Sequence, residues 1–480
     1  MRGRMWGRCQ TGVFVVVVGL AASACAPAPD PSRVRWLRNT LVEDNLNVLR
    51  REPTQVEGKF GRMTLTPHEW LRGSLGQFRR DLGQRGPGYR PTAFGDGPAA
   101  ELLLVGDPHL ENIGTYASPD GEITLQFNDF DAANYGPWIV DVRRLATSVW
   151  LVAELAGQDG GRAAELVARA YAEQTQAAEP RVPTDAPGDT ALLADALERG
   201  QEGLDENRYL AEYSEVDAQG RRRFLLRAFE PRPLPFVASD ELVEVDTETR
   251  AALEAGLPGV LASLSGAVPV TVDALRVKDV ARRLGGGVSS YPLLRYYAVV
   301  EGPTADPADD WLLEAKEAPD AWPYPGLDPA RLAWRFPDNG ARIVAHQRTL
   351  HGRADSDFLL GHVRLGALSL RVRSLRGDQR GIDVVRVLDR FADGKATAAD
   401  LDALFRYAAQ LLAASHARGR TVSDVPAAPL LAAALANQAD ALAIEVRAFA
   451  EQYGRQTFTD AEHLRTLLED YGLRLGFVTP

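Results

Sequence analysis

Residues 102–114 read LLLVGDPHLENIG, and residues 125–146 read LQFNDFDAANYGPWIVDVRRLA. Each stretch opens on a hydrophobic run of strand character and then releases acids and amides. Asp107, His109 and Asn112 follow the first run; Asn128, Asp129 and Asp131 follow the second. The pattern predicts strands over 101–105 and 122–127, with SPDG (118–121) as the turn between them. Such a hairpin would set the two polar clusters side by side. Asp and Asn favour turns and caps on their own account. Two clusters at adjacent strand ends nevertheless make an all-oxygen ligand set. Hard oxygen donors suit Mg²⁺, which keeps several waters and binds phosphate oxygens. The candidate ligands are Asn112, Asp129 and Asp131, with Asp131 alternatively an acid standing behind the metal. Asp107 is left to orient or deprotonate a hydroxyl. His109 stays open between orienting Asp107, binding a phosphate and packing.

Working outward, the 480-residue chain is long enough for two or three lobes. Its formal charge of −11 argues against nucleic acid as a partner, because phosphate binding along a duplex needs a basic face. The start carries Arg2, Arg4 and Arg8, then the apolar run GVFVVVVGLAA at 12–22, then Ala22-Ser23-Ala24 before Cys25. That is the layout of a signal peptide, and the run is too short to span a bilayer. The small residues before Cys25 resemble a bacterial lipobox, with Ala22 where Leu is usual. Cleavage before Cys25 and lipidation of its sulfur would make the protein an exported lipoprotein anchored to a membrane. Cys9 and Cys25 are the only cysteines. The mature chain would then have no disulfide, no thiol nucleophile and no cysteine metal site. Its net charge would be −14, since residues 1–24 carry three Arg and no acid.

Along the rest of the chain, 34–82 has helical spacing, and helices are expected over 138–155, 161–178, 191–210 and 247–264. APAPDPS (26–32) and EPRVPTDAPGD (179–189) read as linkers. RRLGGGVSSYPLLRYYAVVEG (282–302) reads as strand, Gly-rich turn, strand. A turn without Cβ atoms can approach phosphates closely. The candidates there are Gly285, Gly286, Gly287 and Ser289. WLLEAKEA (311–318) places Lys316 on a following strand, where it pairs either with phosphates or with the nearby Glu314 or Glu317. A helix over 340–350, a strand over 368–375 and helices over 399–417 and 427–453 complete the pattern. Arg373 on the 368–375 strand and Arg376 just past it reach phosphate or solvent.

GDPHLEN resembles the H-G-D-x-x-x-x-N loop of aminoglycoside and choline kinases, with Val105 in place of the leading His. NDFDAA is similar to their second metal motif. GPWIVDVRRLA resembles the segment that follows, whose Asp, here Asp141, braces the catalytic loop. Together with LRVRSLRG (370–377) and the Gly-rich segment, these stretches resemble the bacterial domain-of-unknown-function 2252 family over most of the mature chain. The resemblance implies an α+β, protein-kinase-like two-lobe fold with Mg²⁺ and ATP as cofactors. In kinases the Gly-rich loop and Lys precede the catalytic loop; here they follow it. Read as a circle, the parts fall in kinase order, so the expected fold is circularly permuted. The helix ending LLAASHARG (411–419) must then end beside the strand entering Asp107. The position of the usual helix Glu holds His346 and Gln347.

The expected organisation is a signal peptide over 1–24, a lipidated tether over 25–33 and a mostly helical lobe with both loops over 34–265. A small antiparallel-sheet lobe and hinge would cover 266–378, and helices completing the large lobe 379–480. The expected function is an Mg-ATP-dependent phosphotransferase with an unknown acceptor, or else an inactive kinase-fold ligand-binding lipoprotein.

Overall fold

Helices and antiparallel strands share the chain, an α+β architecture. The computed structural model describes residues 31–83, 91–118, 121–175, 190–205, 208–228, 241–264, 275–321, 335–352, 357 and 359–478. The expected signal peptide, Cys25 and the 179–189 linker lie outside the described residues. Residues 31–33, assigned to the tether, form the first turn of the helix Pro31–Asp44.

Four short strands frame the opening loops: β1 (Leu102–Leu104), β2 (Ile113–Ala117), β3 (Ile123–Phe127) and β4 (Asn134–Gly136). The expected pairing changes here. β1 pairs with β4, and β3 pairs with β2, a strand the sequence pattern did not single out. Register Ile113↔Phe127 still sets Asn112 beside Asn128, whose N–H donates to the Asn112 carbonyl at 3.0 Å. The two clusters converge by a different hairpin.

The later strands are β5 (Ser214–Val216), β6 (Arg222–Phe224), β7 (Arg227–Ala228), β8 (Glu241–Val243), β9 (Val277–Leu284), β10 (Arg295–Val300), β11 (Trp311–Glu317), β12 (Gly361–Leu365) and β13 (Leu368–Ser374). Seven of them form one antiparallel sheet in the order β12-β13-β11-β10-β9-β8-β7. Two of these, β7 and β8, come from before residue 266, so the sheet reaches beyond the segment expected to supply it. Side chains alternate across the pleat. Ala298, Val300, Leu313, Ala315, Leu370 and Val372 point to one face and pack on Leu253, Leu257 and Val260. Arg295, Tyr297, Glu314, Lys316, Arg371 and Arg373 point to the other and line a cavity.

The largest core lies among the helices Trp138–Leu155, Gly160–Thr175, Ala398–Arg418 and Ala439–Tyr471. Trp138 stacks on Tyr171 with ring centres 5.3 Å apart. The single helix expected over 427–453 is two, Ala427–Leu435 and Ala439–Tyr471. Asn437 stands between them at φ 58, a left-handed turn that Asn tolerates and a helix does not.

Candidate functional site

Gly106 turns the chain out of β1. Its φ is +91, and a Cβ there would lie 2.1 Å from the Ala132 carbonyl oxygen, so the loops after β1 and β3 touch backbone to backbone. The Gly106 N–H donates to Asp141 Oδ2 at 3.1 Å. His416 Nε2 lies 3.1 Å from the same oxygen, and His416 Nδ1 lies 2.7 Å from the Tyr171 hydroxyl. Asp141 thus braces the loop from one side, while His416 holds Asp141 from the other. Just past His416 the chain bridges to β1, with Leu103 N–H donating to the Arg420 carbonyl at 3.1 Å and Leu102 opposite Thr421. The end of this helix therefore lies against the strand that enters Asp107.

Asp107 is buried, and Arg144 Nε donates to its Oδ1 at 2.8 Å. Burial pushes this carboxyl above its ordinary value, with Arg144 pulling the other way. Asn112 Nδ2 donates to the Asp107 carbonyl at 2.9 Å, tying the two ends of the loop. His109 sits with Nε2 4.0 Å from Asp107 Oδ2 and its ring edge-on to His68 at 6.0 Å. Burial, then the nearby Arg72, holds His109 well below the usual imidazole value, so it is neutral. Arg144 was missed in the sequence. Its signal was the spacing of three from Asp141, which puts both on one helix face.

Lys316 reaches the second loop. Its Nζ lies 2.5 Å from Asp131 Oδ2 and 3.6 Å from Asp129 Oδ2. Neither expected neighbour is its partner. Glu314 accepts from Arg295 at 2.8 Å and from Arg371 and Arg373 at 2.9 Å each. Glu317 accepts from Leu294 N–H at 2.9 Å and Arg51 at 2.6 Å. Burial opposes ionisation of Asp129, but Lys316 and then Arg371 outweigh it and draw its pKa down to about 2. Glu314 is held well below the carboxylate range in spite of burial, first by Arg373. His346 and Gln347 are buried, and His346 Nδ1 lies 3.2 Å from the Ala133 carbonyl oxygen. The helix Asn339–Leu350 thus backs the acidic loop without supplying an acid to Lys316.

The expected metal ligands fall into separate roles. Asp131 is Lys316's partner through Oδ2, while its buried Oδ1 has no hydrogen-bond partner. Asp129 accepts the Asp131 N–H at 3.1 Å and keeps a third of its side chain exposed. Among the described residues no group of three or more His, Cys, Asp or Glu is gathered as a metal site. Of the expected ligands, Asp129 lines two cavities, Asp131 lines one of these, and Asn112 is tied to the Asp107 carbonyl through its amide nitrogen.

The Gly-rich turn joins β9 to β10, with Gly285 and Gly287 at positive φ. Gly287 and Ser290 line a cavity of about 250 Å³ with Asp129, Lys316 and the charged sheet face. Ser289 faces a second cavity of about 410 Å³, which holds Asp107, Asp129, Asp131, Arg79 and Lys59. Asp129 and Ser290 belong to both walls. One space therefore opens on the Gly-rich sheet, the other on Asp107, and Asp129 stands between. Arg373 lies on the first wall as one of the two phosphate-reaching candidates. Arg376 instead pairs with Asp378 at 3.0 Å.

Sheet, helical core and an intervening charged cleft define an α+β protein with a two-chamber polar site. The family model described as "uncharacterized protein conserved in bacteria (DUF2252)" matches residues 51–466, and the chain belongs to that family. No curated protein and no solved structure matches the chain.

Proposed function

We propose that the protein is a phosphotransferase built on a circularly permuted, two-lobe kinase-like plan, exported as a lipoprotein. The observation that carries the reading is Lys316, a strand residue of the Gly-rich sheet, reaching across to Asp129 and Asp131 of the loop beside Asp107. The contact between Arg420 and Leu103 supports the permuted order, since it joins the last helix of the plan to the strand entering the reaction loop.

In this reading a nucleoside triphosphate such as ATP lies in the first cavity, beneath Gly285–Gly287. The acceptor lies in the second. Asp107, made more basic by burial, receives the acceptor hydroxyl's proton as the oxygen bonds the terminal phosphorus. The bond from that phosphorus to the leaving diphosphate oxygen breaks, and Lys316 and the sheet arginines hold the departing charge. Asp129 and Asn112 would hold Mg²⁺, which neutralises phosphate charge when bound. Arg144 fixes the Asp107 carboxylate in place, so most of the rate comes from positioning and charge neutralisation. His109, neutral and buried, packs beside Asp107 at 4.0 Å.

A second reading rests on the same Arg144 contact. A carboxylate committed to a guanidinium at 2.8 Å is a weaker base, which suits a binding protein without transfer activity. Thermal unfolding of the mature chain tests the nucleotide site. Mg²⁺ with ATP should raise the melting temperature, and the rise should vanish in Lys316→Ala and Asp129→Ala. No rise in wild type, or an undiminished one in both variants, sinks the reading. Release of inorganic phosphate or labelling of a hydroxyl acceptor then separates transferase from binder. For the anchor, Cys25→Ser should abolish lipid labelling and release the protein from membranes; continued attachment refutes it.

A further inference from the structure

The wall of the first cavity is charged where a base would have to lie. Arg295, Lys316, Arg371 and Arg373 line it against only two carboxylates, Asp129 and Glu314. Asp131, just behind the wall, is the nearer partner of Lys316 at 2.5 Å, which leaves one positive charge over. Arg371 is 2% exposed, and its Nε and Nη1 have no hydrogen-bond partner. Buried guanidinium donors without partners are costly, and the side chain that carries them borders an opening beside the Gly-rich turn. An anion with several oxygens would offset the excess positive charge of that wall, because guanidinium forks match phosphate geometry.

The aromatic side of the cavity offers little to a base. Tyr209 stacks on Tyr213 at 5.7 Å and carries the Arg380 guanidinium 5.5 Å from its ring centre. Tyr213 meets Tyr297 edge-on at 5.4 Å, and Tyr116 meets His351 at 4.6 Å. These rings are engaged with one another. The volume of about 250 Å³ also lies below the roughly 300–1,000 Å³ usual for larger organic ligands.

We propose that this cavity recognises a polyphosphate chain through Arg295, Lys316, Arg371 and Arg373 and does not read a nucleobase. The inference rests on the phosphotransferase reading of the cavity and narrows its donor. Inorganic tripolyphosphate and the tail of any nucleoside triphosphate present the same chemistry. An exported protein would meet the inorganic form without depending on cytoplasmic nucleotide.

Titration calorimetry of the mature chain in Mg²⁺ distinguishes the sources. Tripolyphosphate, ATP and GTP should bind within tenfold of one another, with adenosine silent. Arg373→Gln should weaken all three together by at least tenfold, and Arg373→Lys, which keeps the charge, by less. Tripolyphosphate binding more than tenfold weaker than ATP, or ATP more than tenfold tighter than GTP, overturns the inference and leaves the nucleotide reading standing. Failure of all three polyphosphates overturns both.

Discussion

At Asp129 burial and attraction oppose each other, and attraction wins. The carboxyl falls from 3.8 to about 2 because Lys316 and Arg371 face it. A depressed carboxyl contributes stability that is complete above its unfolded value and is lost as pH falls through the folded one. The gap in unfolding free energy between wild type and Asp129→Asn should therefore hold steady above about pH 5 and close toward pH 2. Asp107, raised by burial, should give the opposite slope: ionising it opposes folding, so the fold gains from its protonation as pH falls. Urea titrations of Asp129→Asn and Asp107→Asn across pH 2–7 check the two signs, and parallel curves would refute the assignment. The acids at this site were legible because they crowd the ends of hydrophobic runs. Lys316's true partner was not. Glu314 and Glu317 lie close in sequence, and nothing local says that three arginines from neighbouring strands have claimed Glu314.

Among the elements, the loop entering Asp107 depends on one glycine. The run at 101–105 was read as a strand, yet β1 is three residues long and pairs with β4. The strand that pairs with β3 is IGTYA, whose small and polar residues diluted its own signal. Hydrophobic strength shows where a strand is buried, not which strand it meets. Gly106 decides the meeting, since its backbone lies against Ala132. Gly106→Ala should destabilise the protein by about 2–4 kcal/mol, combining left-handed strain with a forced loop shift. Gly97 is a matched control. Its φ is also positive, +82, but nothing lies within 4 Å of a built Cβ. With ψ at −169 its backbone is in a region open almost to glycine alone, so Gly97→Ala should cost about 1–3 kcal/mol from backbone strain, less than Gly106→Ala by the cost of the loop shift. Equal urea midpoints for the two variants would show that the loops are not in contact.

For the whole molecule, distant parts of the chain are fastened by buried charge. The family match begins at residue 51, yet the helix before it is tied to the last long helix. Arg33 donates from Nη1 to Asp81 at 2.7 Å and from Nε to Asp460 at 3.1 Å. The Tyr453 hydroxyl adds a bond to Asp81 at 3.0 Å. Burial pushes the Asp81 carboxyl up, and Arg33 restrains it. The order of motifs was readable from the sequence, but this tie was not, because Arg33 is one of three arginines in its helix, with Arg35 and Arg38, and carries no sign of partners so far along the chain. Replacing Arg33 by Met keeps the bulk and leaves two carboxylates buried together. Breaking a buried pair in this way costs about 3–5 kcal/mol, whereas removing every charge is close to neutral. Arg33→Met should lose that much by urea unfolding at pH 7 and recover part of it as the pH is lowered and the acids protonate. Adding Asp81→Asn and Asp460→Asn should restore most of the stability at pH 7, a non-additivity expected only of residues in one network. A single variant within 1 kcal/mol of wild type, or a triple variant no better than the single, would mean that the first and last helices are held by their apolar faces alone.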